Sequence, residues 1–583
     1  VKLGGGQIVV RALEDEGVPF TFGIPGTHNI ELYDALAAST SVRPVLVTDE
    51  QSASFMADAV WRATGGRRLA CANVVPGAGL THAMSGIAEA FLDNAGLLVL
   101  GCGIRRDTGK AYQLHDVDQQ AMVRPVTKAQ FRPQAGEELY ATIREACRLA
   151  REAPAGPVFV EVPANLYLFT HDVELAPPPH PTPSTLHPAE AGTAGAGGAP
   201  IARAAEILDA AHHPLLYLGL GAAAAAEHLV ALAERLEAPV ATTFQGKGVL
   251  PESHPLALWP GFGEAAPPFV RAVAEDCDAT LAIGCRFGEV GTGSYGLGVP
   301  QPLVHVDVDP AVFGRNYPAA ATIAGDAAAV VPALLERLRP RGRDEALRAR
   351  IRAGHEALRR ERDAAPDTGR VSPWRLLRAL QARFGPETIF TADSGNGTFL
   401  AVEMLRLDGP GRLLAPVDYS CMGYAVPAAI GAKLARPDVP VVALAGDGAF
   451  LMTGLELLTA GQLGAAALVF VLRDGELAQI AQFQDTALNR KTASVLPDYD
   501  LPSLARGLGV AFLRLDHDAE IAGVLEQAAA LAASSKPVLV DTAIDYSERT
   551  FFTRGVVKTN LLRLPWKDRL RFVGRALWRR VGG

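Results

Sequence analysis

Two carboxylates stand where chemistry on a phosphate could be done. The apolar run 441–445 ends in Gly446-Asp447-Gly448, and the run 468–472 ends in Arg473-Asp474-Gly475-Glu476. Glycine permits a tight turn and lets backbone amides approach a phosphate where a helix begins, which marks Gly446, Gly448 and the following Ala449. If the two runs are neighbouring parallel strands, their ends emerge on one edge, and Asp447 and Asp474 face one hard cation. A main-chain carbonyl at Glu476 and diphosphate oxygens would complete an octahedral Mg²⁺ shell. Gly-Asp-Gly alone is equally a structural turn; the second acidic turn at matching spacing points to the cation. A third carboxylate, Glu50, follows the strand-like run 44–48 and by itself reads as a helix cap or a surface acid.

Holding such groups at one edge requires sheets covered on both faces. Short β-branched runs (44–48, 97–101, 158–162, 214–219, 279–284, 441–446, 468–472) alternate with helical patterns (51–64, 201–211, 225–236, 424–435, 454–463). Apolar strands separated by helices of about 10–15 residues imply parallel sheets. The expected class is α/β with three doubly wound parallel-sheet domains, whose ligands bind beyond the strand carboxyl ends. A Pro/Gly/Ala-rich stretch (177–200) and a charged one (339–373) divide the chain. They suggest a first domain at 1–175, a linker at 176–194, a central domain at 195–340, a linker helix at 341–370, a third domain at 371–550 and a tail at 551–583.

Composition narrows the class. With 583 residues, 49% hydrophobic and 20% charged, the chain is globular, and a net charge of −8 argues against a nucleic-acid partner. Six scattered cysteines without a C-x-x-C pair fit a reducing compartment, and no signal peptide or membrane-spanning run stands out, so a cytoplasmic location is expected.

The stretch VVALAGDGAFLMTGLELLTAGQLGAAALVFVLRDGELAQIAQF resembles the cofactor signature of thiamine diphosphate enzymes of the acetolactate synthase/pyruvate oxidase type. The resemblance runs to about residue 545. It implies that Asp447, Asp474 and the main-chain carbonyl of Glu476 hold Mg²⁺, although Arg473-Asp474 replaces the family's Asn-Asn; a carboxylate still offers oxygen to a hard cation. FGIPGTHNIELYDAL (22–36) resembles the family's Phe-Gly-x-Pro-Gly opening, with Pro25 and Gly26. VTDEQSASFMADAVWRATG (47–65) places the family's glutamate at Glu50, the group that hydrogen-bonds the coenzyme's aminopyrimidine. NVVPGAGLTHAMSGIAEAFLDNAGLLVLG, beginning at Asn73, and TADSGN, with Gly395 and Asn396, resemble further cofactor-facing segments. SCMGYAVPAAIGAKLA puts the family's bulky apolar wedge at Met422. Leu114, His115 and Asp116 stand where the family often reads Phe-Gln-Glu, which makes His115 a proton donor or acceptor near the reacting carbon.

The middle block resembles the family's central domain, which holds FAD in some members; Gly219, Gly221 and Arg286 could serve a nucleotide. The first block has no adjacent His-His pair such as pyruvate and indolepyruvate decarboxylases use, which favours carboligation over aldehyde release. The resemblance therefore implies an enzyme that decarboxylates a 2-oxo acid and ligates the product. It also implies a homodimer or homotetramer whose active site joins the first block of one chain to the third of another. Rivals are an FAD-dependent pyruvate oxidase-like enzyme at the membrane and a lyase of 2-hydroxyacyl thioesters or acyloins. The tail from Phe551 carries nine basic residues and one acid. Trp566, Leu570, Val573, Leu577 and Val581 form one helical stripe, so 561–581 reads either as an amphipathic helix on an anionic membrane face or as a helix packing at a subunit interface.

Overall fold

The computed structural model describes residues 1–175, 185–186 and 198–581. Its frame is three parallel sheets, each with strands that alternate with helices. In the first, the order is Arg43–Leu46, Phe20–Gly23, Cys71–Val74, Leu97–Gly103, Pro157–Pro163 and Ala129–Phe131. Of the expected linker at 176–194, only Thr185–Leu186 is described; it pairs antiparallel with Ala129–Phe131 as a seventh strand. The second sheet runs Ala257–Pro260, Val240–Thr242, Pro214–Leu218, Ala279–Ile283, Leu303–Asp307 and Ala321–Ala324. The third runs Leu413–Leu414, Ile389–Ala392, Val441–Gly446, Leu468–Leu472, Val538–Thr542 and Ala511–Leu515. The two runs that end in acidic turns are indeed adjacent parallel strands, with Gly446 opposite Leu472.

Each sheet starts near its middle, adds strands to one side and then reverses. The reversal falls between Phe20–Gly23 and Cys71–Val74, between Pro214–Leu218 and Ala279–Ile283, and between Ile389–Ala392 and Val441–Gly446. At such a point the two loops diverge and leave a crevice beyond the strand carboxyl ends. Pro25, Gly26, Gly395, Asn396 and Gly446 to Ala449 all lie in these loops or at the helix starts they lead into.

One apolar core joins the first and third sheets. Phe22, Phe55, Val60 and Ile87 belong to the same buried cluster as Tyr424, Ile430, Val441 and Phe450. Its spine is the helix Glu50–Ala63 lying along Ala425–Ala435, close enough that a Cβ on Gly431 would stand 2.4 Å from the Met56 carbonyl oxygen. The linker stretch forms the helix Glu345–Asp363, capped by Asp344, whose side chain accepts the N–H groups of Ala346 and Leu347.

The tail forms two helices, Phe551–Arg563 and Trp566–Val581. The second meets the helix Ala478–Leu488 of the same chain: Asn489 donates to the Arg579 carbonyl at 3.1 Å, and Arg579 donates to the Leu488 carbonyl at 3.3 Å. Among the described residues, no helix is long and apolar enough to cross a membrane.

Candidate active site

At the third sheet's edge, Asp447 is 2% exposed and is held by two backbone donors, Gly448 N–H on Oδ1 and Gly475 N–H on Oδ2, both at 2.8 Å. Asp474 follows on the neighbouring strand, and its Oδ1 accepts the Glu476 N–H at 3.3 Å. Burial, and then the charge of Asp447, push the Asp474 carboxyl up to about 7; burial also raises Asp447. Arg473 contacts neither carboxylate of the pair, because its guanidinium turns to Asp541 at 2.7 and 3.0 Å; its charge acts on Asp447 only from a distance. The Glu476 carboxylate is taken by Lys491 at 2.6 and 2.8 Å, so the oxygen it can spare is its main-chain carbonyl. Two adjacent carboxylates, both raised by burial and Asp474 also by its neighbour's charge, suit a dication, so the donor set fits the hard-cation role. A Cβ on Gly448 would lie 2.5 Å from the Leu477 side chain, so any larger residue would have to displace it.

Beside this edge, Asp393 anchors the segment that carries Met422. Its carboxylate accepts N–H groups from Gly423, Tyr424 and Ala425 at 2.7, 3.2 and 3.1 Å, fixing the start of the helix Ala425–Ala435. Met422 is half-buried, and Gly423 takes the positive φ (+86°) that the turn requires. Gly395 also has positive φ (+98°), and Asn396 opens the helix Asn396–Met404 as a buried residue. Asp393 lies in the TADSGN segment, but nothing local in the sequence signals that its carboxylate anchors the Met422 turn about 30 residues on.

In the first domain, Glu50 is 7% exposed at the start of its helix, behind the N-cap Asp49. Gly79, on the facing helix Ala78–Leu92, makes room for it: a Cβ there would stand 2.9 Å from Glu50 Oε1. Gly26 is equally constrained, with Val75 2.5 Å from a would-be Cβ. Buried Asn73 supports this loop from beneath, its amide oxygen accepting from Asn29 at 3.5 Å while Asn29 accepts the Gly26 N–H at 2.8 Å. His115 sits at positive φ (+65°) with its ring 5.5 Å from that of His28, edge to face. The first block thus does contain a histidine pair, built from positions 87 residues apart that adjacency in sequence could not reveal. Gly77, in the loop leading to Gly79, packs against His115 at about 3.6 Å from a would-be Cβ.

The first and third domains also touch within one polypeptide. Gln51 donates to the Met422 carbonyl at 3.4 Å. Thr48 donates its N–H and hydroxyl to the Glu456 carboxylate at 3.1 and 2.7 Å, and Tyr424 donates to Asp58 at 2.6 Å. The glutamate-bearing helix therefore abuts both the Met422 segment and the stretch after Asp447. Glu456 and Asp58 also bond locally, to Thr459 and Arg62, but their partners Thr48 and Tyr424 lie hundreds of residues away, where no local pattern signals them.

In the middle sheet, the reversal point opens a cavity of about 440 Å³ lined by Gly221, Gln245, Gly284, Arg286, Asp307 and Asp326, among others. The buried Gln245 side-chain amide nitrogen has no partner there. Gly219 and Gly221 press directly on Gly284, so their lack of side chains serves loop packing, and Arg286 is engaged by Asp418 at 2.7 Å.

Comparison with known proteins agrees with this architecture. Three family models match: the thiamine pyrophosphate enzyme N-terminal TPP binding domain at residues 3–122, the central domain at 201–334 and the C-terminal TPP binding domain at 393–542. A probable acetolactate synthase large subunit of Methanocaldococcus jannaschii is 30% identical over 93% of this chain and 92% of that protein. A probable 2-ketoarginine decarboxylase of Pseudomonas aeruginosa is 35% identical over 87% and 89%. The acetolactate synthase isozyme 3 large subunit of Escherichia coli is 29% identical over 94% and 96%. Through all three of its domains, then, the chain belongs to the thiamine pyrophosphate enzyme family and is an acetolactate synthase-like enzyme dependent on that coenzyme.

Proposed function

We propose that the chain decarboxylates a 2-oxo acid and joins the resulting carbanion fragment to a second carbonyl compound. Asp447, Asp474 and the Glu476 carbonyl would hold Mg²⁺, and the turn Gly446 to Ala449 with Gly395 and Asn396 would hold the diphosphate. Bound there, thiamine diphosphate would supply a thiazolium carbon able to add to the oxo group and hold the electron pair left by CO₂. The protein's own part is placement and proton control. Glu50 would face the coenzyme's ring nitrogen and exchange a proton with it, Met422 would pack beneath the coenzyme, and His115 would serve the substrate oxygen. The observation that carries this reading is the approach of the Glu50 helix to the Met422 segment and to the helix after Asp447. Calorimetric titration with thiamine diphosphate and Mg²⁺, then mass spectrometry of products from a panel of 2-oxo acids, tests it. Absence of coenzyme binding would reject it.

A second reading has its own support. The His28–His115 pair puts two imidazoles at the first sheet's edge, where one can protonate a carbanion before an acceptor arrives. That outcome is aldehyde release, and the 2-ketoarginine decarboxylase among the relatives is consistent with it. FAD is a further candidate ligand, for the central cavity with its unpartnered Gln245 amide, and a visible spectrum of the purified protein decides it.

A homodimer or homotetramer is the assembly we infer from the resemblance, and sedimentation tests it. Exposed Trp566 and Leu570 on the basic tail favour contact with an anionic membrane, which liposome co-sedimentation of full-length and tail-truncated protein examines.

A further inference from the structure

Glu50 is not alone at its helix start. The ring nitrogen Nδ1 of His82 lies 3.4 Å from Glu50 Oε2 and 3.4 Å from Asp49 Oδ2, and the three side chains form one compact cluster. His82 stands on the helix Ala78–Leu92, three residues after the Gly79 that clears space for Glu50, so both features occupy one face of that helix. Asp49 is itself fixed, because its Oδ1 caps the Glu50–Ala63 helix by accepting the Gln51 N–H at 2.8 Å. The exposures differ sharply across the cluster: the Glu50 side chain is 9% exposed and that of His82 58%.

We propose that His82 positions the Glu50 carboxylate and carries its proton to and from solvent. The inference rests on the reading of Glu50 as the residue that meets the coenzyme. At ion-pair distance from two carboxylate oxygens, Nδ1 is the ring nitrogen that carries the proton, and its attraction keeps Oε2 turned to it and leaves Oε1 against Gly79. A buried acid that must change protonation in every cycle needs an exchange partner reaching water. When Glu50 is ionised, the Nδ1 proton passes to Oε2 while Nε2 takes one from water, one proton in for each one out; the reverse step discharges Glu50. Asp49 keeps the imidazole in line without itself facing the coenzyme.

The test uses full-length protein loaded with thiamine diphosphate and Mg²⁺, reading exchange of the coenzyme's C2 proton for deuterium by acid quench and NMR. His82→Ala should slow exchange by about tenfold or more, with partial recovery on adding free imidazole. His82→Gln keeps a donor for Oε2, so coenzyme affinity should stay near wild type while exchange remains slow; it also decides the matter should the alanine variant fold poorly. In the coenzyme-free protein, the His82 imidazole ¹⁵N signals should move on Glu50→Gln. If His82→Ala and His82→Gln exchange at the wild-type rate while Glu50→Gln is slow, the role of His82 is overturned and that of Glu50 stands. If Glu50→Gln also exchanges at the wild-type rate, the reading beneath it falls as well.

Discussion

The Asp393 carboxylate accepts the Gly423 N–H at 2.7 Å, and through that contact one strand end of the third sheet holds the turn that presents Met422. Two more N–H groups, of Tyr424 and Ala425, end on the same carboxylate. Replacing Asp393 by Ala leaves three buried donors without it, a loss of about 2–3 kcal/mol, visible as a lower midpoint in urea and weaker thiamine diphosphate binding. Asp393→Asn, which keeps an acceptor oxygen, should cost less on both counts.

The same residue gives a pH prediction. Burial pushes its carboxyl up to about 6 from an ordinary value of 3.8, so the folded state holds this proton more tightly than the unfolded chain. Its contribution to stability is therefore complete below about pH 4 and declines as pH rises through 6. Urea titrations across that window should show Asp393→Asn lacking this part of the decline.

How much of the site was legible in the sequence depended on separation along the chain. The adjacent strands ending at Gly446 and Leu472 could be inferred because each is one β-branched run capped by an acidic turn, a local pattern. The matching helix Glu50–Ala63 was equally visible. Pairing at a distance stayed hidden: His28 with His115, Glu456 with Thr48, and Asp58 with Tyr424. Arg473, beside Asp474, spends its guanidinium on Asp541, 68 residues on, another pairing that no local pattern signals.

For the cation site, Asp447→Ala should weaken Mg²⁺-dependent coenzyme binding at least about tenfold, because it removes a ligand oxygen and leaves the Gly448 and Gly475 N–H groups without their acceptor. Asp474→Asn should behave oppositely. It keeps an oxygen ligand and removes one negative charge beside a diphosphate, so calorimetry should find affinity unchanged or improved.

At the seam between first and third domains, Arg62, its side chain 11% exposed, donates to Asp58 at 3.0 Å and to Asp93 and the Ala415 carbonyl at 2.9 and 3.2 Å. Asp93 in turn accepts N–H groups from Val417 and Asp418 at 3.3 and 3.2 Å. Arg62→Ala strands buried carboxylates, so a loss of about 3–5 kcal/mol is expected in equilibrium unfolding. Because the bonds cross the seam, proteolysis should then cut between the domains before it degrades either.

The histidine pair decides between the two outcomes for the decarboxylated fragment. Burial, and then neighbouring His115, push the His28 imidazole below its usual value, so His28 remains a neutral acid–base partner further into the acidic range than a free imidazole. If the pair delivers a proton to the fragment, His28→Phe and His115→Phe should each lower the ratio of aldehyde to ligated product by about tenfold, at little cost in CO₂ release. The measurement is product mass spectrometry beside a CO₂ assay on one 2-oxo acid. A fall in CO₂ release with an unchanged product ratio would instead place both rings in substrate binding, because an interaction made equally before and after decarboxylation cannot bias the choice between protonation and ligation.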